Sequence, residues 1–278
     1  MKKSIFIFIL FICFVSSVFA DTIFLKSGKT VTGEIIEVTN EYVKIDFDGI
    51  PIKYWKEDID TFEEAQEVEY GKSTHYMRYG NEKVRLDIYN PGMGTEKRPI
   101  VILIHGSAGI TGNRATRYRE FGNSLMLRGI IAINVHYFDS QKSNWVKTFI
   151  KTIDYAQNIP NADKNKIGIV GYSLGGMIAF RVASGDKRVK LLTVNAGSLP
   201  ADFTKKDAAA LPFTYMISGT KDKSIKSLYI LKEWLKELKK PFKTKIDEGM
   251  GHTIPMNIFR ENWSSIVDFF AGNFNVPY

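Results

Sequence analysis

The chain has 278 residues, 44% of them hydrophobic and 13% aromatic, with a formal net charge of +8. That length supports a full-sized core and leaves little room for two large domains. Low-complexity sequence and internal repeats are absent, which excludes disordered, solenoid and fibrous classes.

The first 20 residues, MKKSIFIFILFICFVSSVFA, read as an export signal rather than as fold. Lys2 and Lys3 make a positive start, Ile5 to Val15 an apolar stretch, and Val18 and Ala20 suit positions −3 and −1 of a signal-peptidase cut. The apolar run is short for a bilayer span of about 20 residues, so cleavage is expected over an uncleaved anchor. The single cysteine, Cys13, lies inside this segment. A processed chain therefore has no thiol for a disulfide, a thiolate metal site or nucleophilic catalysis. Losing Lys2 and Lys3 takes the charge from +8 to +6, because the segment holds no acidic residue. The remaining positive charge is densest at LKEWLKELKKPFKTK (231–245), where lysines interleave with Glu as on a solvated helix face. Nucleic-acid binding fits poorly with export. The expected location is periplasmic or extracellular.

Residues 21–65 read as a small all-β unit. KTVTGEIIEV and EYVKIDFDG alternate, with Val43, Ile45 and Phe47 on one side and Lys44 and Asp46 on the other. Gly28, Gly33 and Asp48-Gly49 punctuate the turns. Five strands are expected, at 22–25, 30–38, 41–47, 50–54 and 58–62. The stretch IFLKSGKTVTGEII resembles the first half of an Sm-like or SH3-like small barrel. A unit this short is a marginal fold alone, so it reads either as a packing appendage or as a module for an envelope or protein partner.

A polar linker is expected over 66–75, within EEAQEVEYGKS and the residues after it, and a second domain over 76–278. There strands and helices alternate. Strands are expected at 84–89, 99–106, 129–138, 166–171, 189–195, 213–219 and 242–248. Helices are expected at 114–128, 143–158, 174–184, 224–239 and 257–271. PIVILIHG is a near-continuous apolar run, as a parallel strand buried on both faces requires. In the helix at 224–239, Ile225, Leu228, Leu231, Trp234, Leu235 and Leu238 share one face, and Pro241 stops it. The expected fold class is α/β, a mostly parallel sheet with helices on both faces.

Ligands in such sheets bind beyond the carboxyl ends of the strands. In GYSLGG (171–176), Gly171 and Gly175 permit a sharp turn from strand to helix, which lifts Ser173 as a candidate nucleophile. HGSAG (105–109) follows an earlier strand, so the N–H of Ser107, with that of Leu174, is a candidate oxyanion hole. His105 itself reads as a loop-ordering residue, with side-chain catalysis as the competing idea, and is also a candidate substrate contact. SGTKDKS (218–224) offers Asp222 as the acid that would orient an imidazole, with Asp202, after VNAGSLP, as the alternative. Of four histidines, His75 precedes the sheet and His136 ends a strand without a Gly-rich loop. His252, in EGMGHTI, sits in a loop opened by Gly249 and Gly251 and is the candidate general base. The chain order nucleophile, acid, histidine is that of the α/β-hydrolase arrangement.

With LIHGSAGI, VHYFD, GYSLGGMIAF, SGTKD and GMGH in place, residues 76–278 resemble the dienelactone hydrolase-like members of the α/β-hydrolase superfamily. The resemblance implies hydrolysis of a small ester or lactone through an acyl-enzyme, with no cofactor or metal. It also implies that Tyr137 and Tyr172 line the pocket. Two departures bear on the substrate: Ser173 stands where dienelactone hydrolases carry cysteine, and HYFDSQ lacks their substrate-holding arginine. Arg114 and Arg117, near a helix start where cations are disfavoured, are either solvated or contacts for an anionic substrate. The catalytic domain of prolyl-oligopeptidase-type peptidases is similar, although about 40 preceding residues cannot form their propeller. A non-catalytic envelope module is the remaining alternative.

Overall fold

The computed structural model describes residues 21–47, 50–63, 72–92, 96–253 and 256–276. The expected export segment and the Asp48-Gly49 turn lie outside the described residues. The chain divides into two compact units, one ending at Val68 and the other running from Glu69.

The first unit is a five-stranded antiparallel sheet: β1 (Asp21–Leu25), β2 (Thr30–Val38), β3 (Tyr42–Phe47), β4 (Ile50–Trp55) and β5 (Ile59–Glu63), in the order β4-β3-β2-β1-β5. β2 pairs with β1 over Thr30–Gly33 and with β3 over Glu34–Val38, with a register shift between Ile35 and Glu37, so one long strand serves both halves of the sheet. No pairing among the described residues joins β4 to β5, and the barrel-like expectation becomes a sheet with two edges. The alternation in the sequence has the expected consequence: Val43 and Ile45 are buried with Ile23 and Ile59, while Leu25, Val31, Ile35 and Tyr54 pack around them. The side chain of Phe47 lies outside what is described.

The second unit is built on eight strands, in the order β13-β12-β11-β10-β8-β9-β7-β6. These are β6 (Lys72–Tyr79), β7 (Glu82–Tyr89), β8 (Arg98–Ile104), β9 (Ile131–Val135), β10 (Ala162–Tyr172), β11 (Val189–Asn195), β12 (Phe213–Gly219) and β13 (Phe242–Asp247). β8 to β13 are parallel, and β7 and β6 extend the sheet antiparallel at one edge. β6 corrects the sequence reading. Its residues begin within the stretch read as linker, and His75 lies in the sheet, not ahead of it.

Helices α1 (Asn113–Leu127), α2 (Trp145–Ala156), α3 (Leu174–Gly185), α4 (Lys205–Ala210), α5 (Ile225–Glu237) and α6 (Met256–Asn273) cover the sheet. Two cores result. Ile100, Ile102 and Ile104 of β8 pack with α2, α3 and α5, whereas Val101 and Leu103 pack with α1 and α6. Successive strand residues point to opposite faces, so a strand between two helical layers must be apolar at every position. Leu228, Leu231 and Leu235 are buried on α5, with Ile225, Trp234 and Leu238 partly buried beside them. β9 stops at Val135, short of the expected Phe138, because His136 leaves the extended region and a 3-10 turn follows over Tyr137–Asp139.

Candidate active site

The junction of β10 and α3 is one residue long. β10 ends at Tyr172, α3 begins at Leu174, and Ser173 between them adopts φ 55° and ψ −118°. A non-glycine residue in that region is strained and persists only where its surroundings fix it. Here the Ser173 N–H donates to the Asn195 carbonyl (3.0 Å), and the Ser173 carbonyl accepts from Gly176 (2.9 Å). The flanking glycines allow the close approach: a Cβ on Gly175 would lie 2.1 Å from the Ile104 carbonyl oxygen, and one on Gly171 2.4 Å from that of Gly175. The corner therefore presses the start of α3 against the end of β8.

Two further loops meet this corner. Asp222 follows β12 and is almost fully buried. Its Oδ1 accepts from the Ser224 N–H (2.8 Å), and its Oδ2 lies 2.8 Å from His252 Nδ1. His252 follows β13, and its Nε2 lies 2.8 Å from Ser173 Oγ. The loops are tied together by the Lys221 N–H donating to the Met250 carbonyl (2.9 Å). The Tyr172 hydroxyl donates to the His252 carbonyl (2.9 Å), so the strand–helix corner also holds the histidine loop. A buried carboxylate only accepts, so His252 Nδ1 carries the proton toward Asp222. Nε2 is then left as an acceptor for the Ser173 hydroxyl.

Asp202, the alternative acid, is exposed and ion-paired with Arg181. His136 donates to Asp87 through Nε2 (2.9 Å), and His75 contacts Ser73 and Tyr155. Neither approaches Ser173 Oγ within hydrogen-bond reach.

A cavity of about 560 Å³ opens over Ser173 and His252. Its walls are the loop from Gly106 to Gly112, Arg114, Arg117 and Tyr118 of α1, Tyr172, Thr253 and Phe259 of α6. Ser107 lines it. Leu174 is the first residue of α3, where a backbone N–H has no partner within the helix.

Tyr172 lines the cavity, but His105 and Tyr137 do not, which corrects their reading as substrate contacts and leaves His105 the loop-ordering role. His105 is buried and stacked on Tyr137, with ring centroids 4.1 Å apart, and its Nδ1–H donates to the Gly106 carbonyl (2.8 Å). The Tyr137 hydroxyl donates to the His105 carbonyl (2.8 Å). Burial lowers the imidazole of His105 to about 4, against the Gly106 bond that favours its charged form. These two rings brace the loop from below. Tyr118 and Phe259 escaped the sequence reading because they arrive from helices, where only the apolar period is visible and not which ring faces a cavity. Among the described residues, no group of three or more His, Cys, Asp or Glu could hold a metal ion. None of the described helices is long and apolar enough to cross a membrane.

Residues 86–209 match the BD-FAE family model, a span that includes Ser107, Ser173 and Leu174 and stops before Asp222 and His252. A curated relative, the uncharacterized 31.7 kDa protein of the traX-finO intergenic region of Escherichia coli, is 31% identical over 109 residues. The match covers 36% of this chain and 37% of that protein, so little more than a third of the relative is spanned. Est1E from Butyrivibrio proteoclasticus superposes with a TM-score of 0.61 at 14% identity, covering 73% of this chain and 99% of that one. A Klebsiella pneumoniae structure assigned as a dienelactone hydrolase gives 0.60 at 15% identity, covering 72% and 98%. At these identities the likeness is one of architecture, and the second unit has the α/β-hydrolase fold.

Proposed function

We propose that the second unit is a serine hydrolase that cleaves a small ester through an acyl-enzyme. The observation that carries this reading is the unbroken chain Ser173 Oγ, His252 Nε2, His252 Nδ1, Asp222 Oδ2, with both links at 2.8 Å, on the floor of a cavity large enough for a small ester. The BD-FAE match over residues 86–209 and a carboxylesterase, EstE1, among the similar folds support it.

In this reading Ser173 Oγ attacks the ester carbonyl carbon while its proton passes to His252 Nε2. The carbonyl π pair moves onto oxygen, which the N–H groups of Ser107 and Leu174 stabilise. Each such donor is typically worth about 3 kcal/mol in the transition state. Asp222 stays ionised and favours the imidazolium that forms. The tetrahedral intermediate collapses, the C–O bond to the alcohol breaks, and His252 returns the proton to the leaving oxygen. Water then repeats the sequence against the acyl-Ser173 ester and releases the acid.

A fluorophosphonate probe tests this directly, because it forms a covalent bond only with an activated serine. Wild type is expected to label. Ser173→Ala is expected to lose labelling and to drop ester turnover by about a thousandfold or more with the fold intact. Equal labelling of the Ser173→Ala chain would overturn the assignment.

A further inference from the structure

Resting on that reading of the site, we infer that the substrate carries a carboxylate, which Arg114 and Arg117 bind inside the cavity. Both guanidinium-bearing side chains line the space that Ser173 and His252 open onto, and among the described residues no Asp or Glu lines it with them. Asp222, the nearest acid to the reaction centre, is buried behind the His252 ring and engaged on both oxygens. Among the described residues neither arginine forms an ion pair.

Their position makes that lack of a partner consequential. Arg114 and Arg117 lie one turn apart on α1, at its N-terminal end, and the first turn holds no acidic residue. A helix start carries partial positive charge, so a cation there is disfavoured unless an anion compensates. Arg117 is held over the Phe259 ring, 5.0 Å from its centroid, which fixes the guanidinium within the cavity wall. Burial raises the Tyr172 phenol and Asp222 adds to that, while Arg117 and Arg114 oppose both, so their field reaches the floor beside Ser173. An anion entering here finds two guanidinium groups. A carboxylate suits this set, because guanidinium presents paired donors at its spacing.

The carboxylate could sit on the acyl or the alcohol side of the scissile bond, and two matched pairs separate these. Monomethyl adipate against dimethyl adipate places the charge on the acyl side. 4-Acetoxybenzoate against its methyl ester places it on the leaving group. For at least one pair the wild-type kcat/KM is expected to favour the anionic member by about tenfold to a hundredfold, the range of a charge-assisted contact. That preference is expected to fall at least tenfold in the Arg114→Gln/Arg117→Gln double variant. It is expected to survive largely in the matching double Lys variant, which keeps the charge and controls for lost packing. A preference for the neutral member in both pairs, or an anionic preference unchanged by the Gln variant, would overturn the inference. Turnover of neither member of either pair counts against the hydrolase reading instead. The carboxylate site is then judged by calorimetric titration of monomethyl adipate into the Ser173→Ala chain with and without the two Gln substitutions. Binding confined to the chain that keeps both arginines supports the site, and equal or absent binding refutes it.

Discussion

Two glycines of α3 separate what the Ser173 corner demands from what a helix merely tolerates. A Cβ on Gly175 would stand 2.1 Å from the Ile104 carbonyl oxygen and 2.6 Å from that of His105, and both are backbone atoms that cannot swing aside. Gly175→Ala must therefore push α3 off β8 and move Ser173 with it. The expected cost is about 3 kcal/mol, the upper range for overpacking, with loss of ester turnover. A Cβ on Gly185, at the far end of the same helix, meets nothing within 4 Å. Gly185→Ala is expected to be neutral or stabilising by about 0.5–1 kcal/mol, with turnover unchanged. Urea unfolding and ester assays on both variants test the contrast, and a Gly175→Ala chain as stable and active as wild type would refute it. The same scale shows how much of the site was legible. Ser173, Asp222 and His252 each follow a strand in a Gly-bearing or turn-forming segment, and their side chains do meet. Proximity to a strand end does not reveal direction, however: His105 and Tyr137 also follow strands, yet turn beneath the loop to brace it rather than up into the cavity.

At the scale of elements, legibility tracked burial on both faces. β11 and β12 fall at the expected bounds, because a strand covered by two helical layers is buried at nearly every position and so is written with a high density of apolar residues. β6 was missed because it is an edge strand whose only buried side chain is Met77, and KSTHYMRY lacks the apolar density that marks its neighbours. α4 was missed for its length: six residues carry too little periodicity, although Thr204 and Asp207 form a reciprocal capping box. α5 shows the opposite case, in which a 3.6-residue apolar stripe specifies the element. Leu231 is fully buried among the strands and helices of its face, while Tyr229, two positions earlier, is about half exposed. Leu231→Ala is expected to lose about 2–5 kcal/mol through lost burial and a residual cavity. Tyr229→Ala should change stability by no more than about 0.5 kcal/mol. Denaturant midpoints for the two variants test this, and equal losses would mean that the stripe does not anchor α5.

For the whole molecule, the buried imidazole of His105 couples the stability of the second unit to pH. Its folded value is about 4, below the 6.5 of a free imidazole. Between these two values the unfolded chain binds a proton that the folded chain refuses, so stability rises with pH across the window and falls on acidification. Two and a half units correspond to about 3 kcal/mol lost between pH 7 and pH 4. A second window lies lower. Burial alone would raise Asp87, but His136 and Arg85 outweigh it and bring the carboxyl to about 2. Asp87 therefore contributes stability above its unfolded value, near 3.8, that is lost only as pH falls further toward 2. The histidine window can thus be read separately, at pH 4.5–7. Three of the four tryptophans, Trp145, Trp234 and Trp263, belong to the second unit, so fluorescence reports on its unfolding. Wild type is expected to unfold at progressively lower urea from pH 7 to 4.5, and His105→Gln, which cannot take up the proton, is expected to flatten most of that slope. An identical slope in the variant would assign the acid sensitivity elsewhere. Because the same ring braces the loop carrying Ser107, charging it in the folded chain is expected to loosen that loop. The folded ring takes up its proton only near pH 4, however, so any loss of turnover by this route sets in at the acid end of the interval, after most of the stability has already been lost.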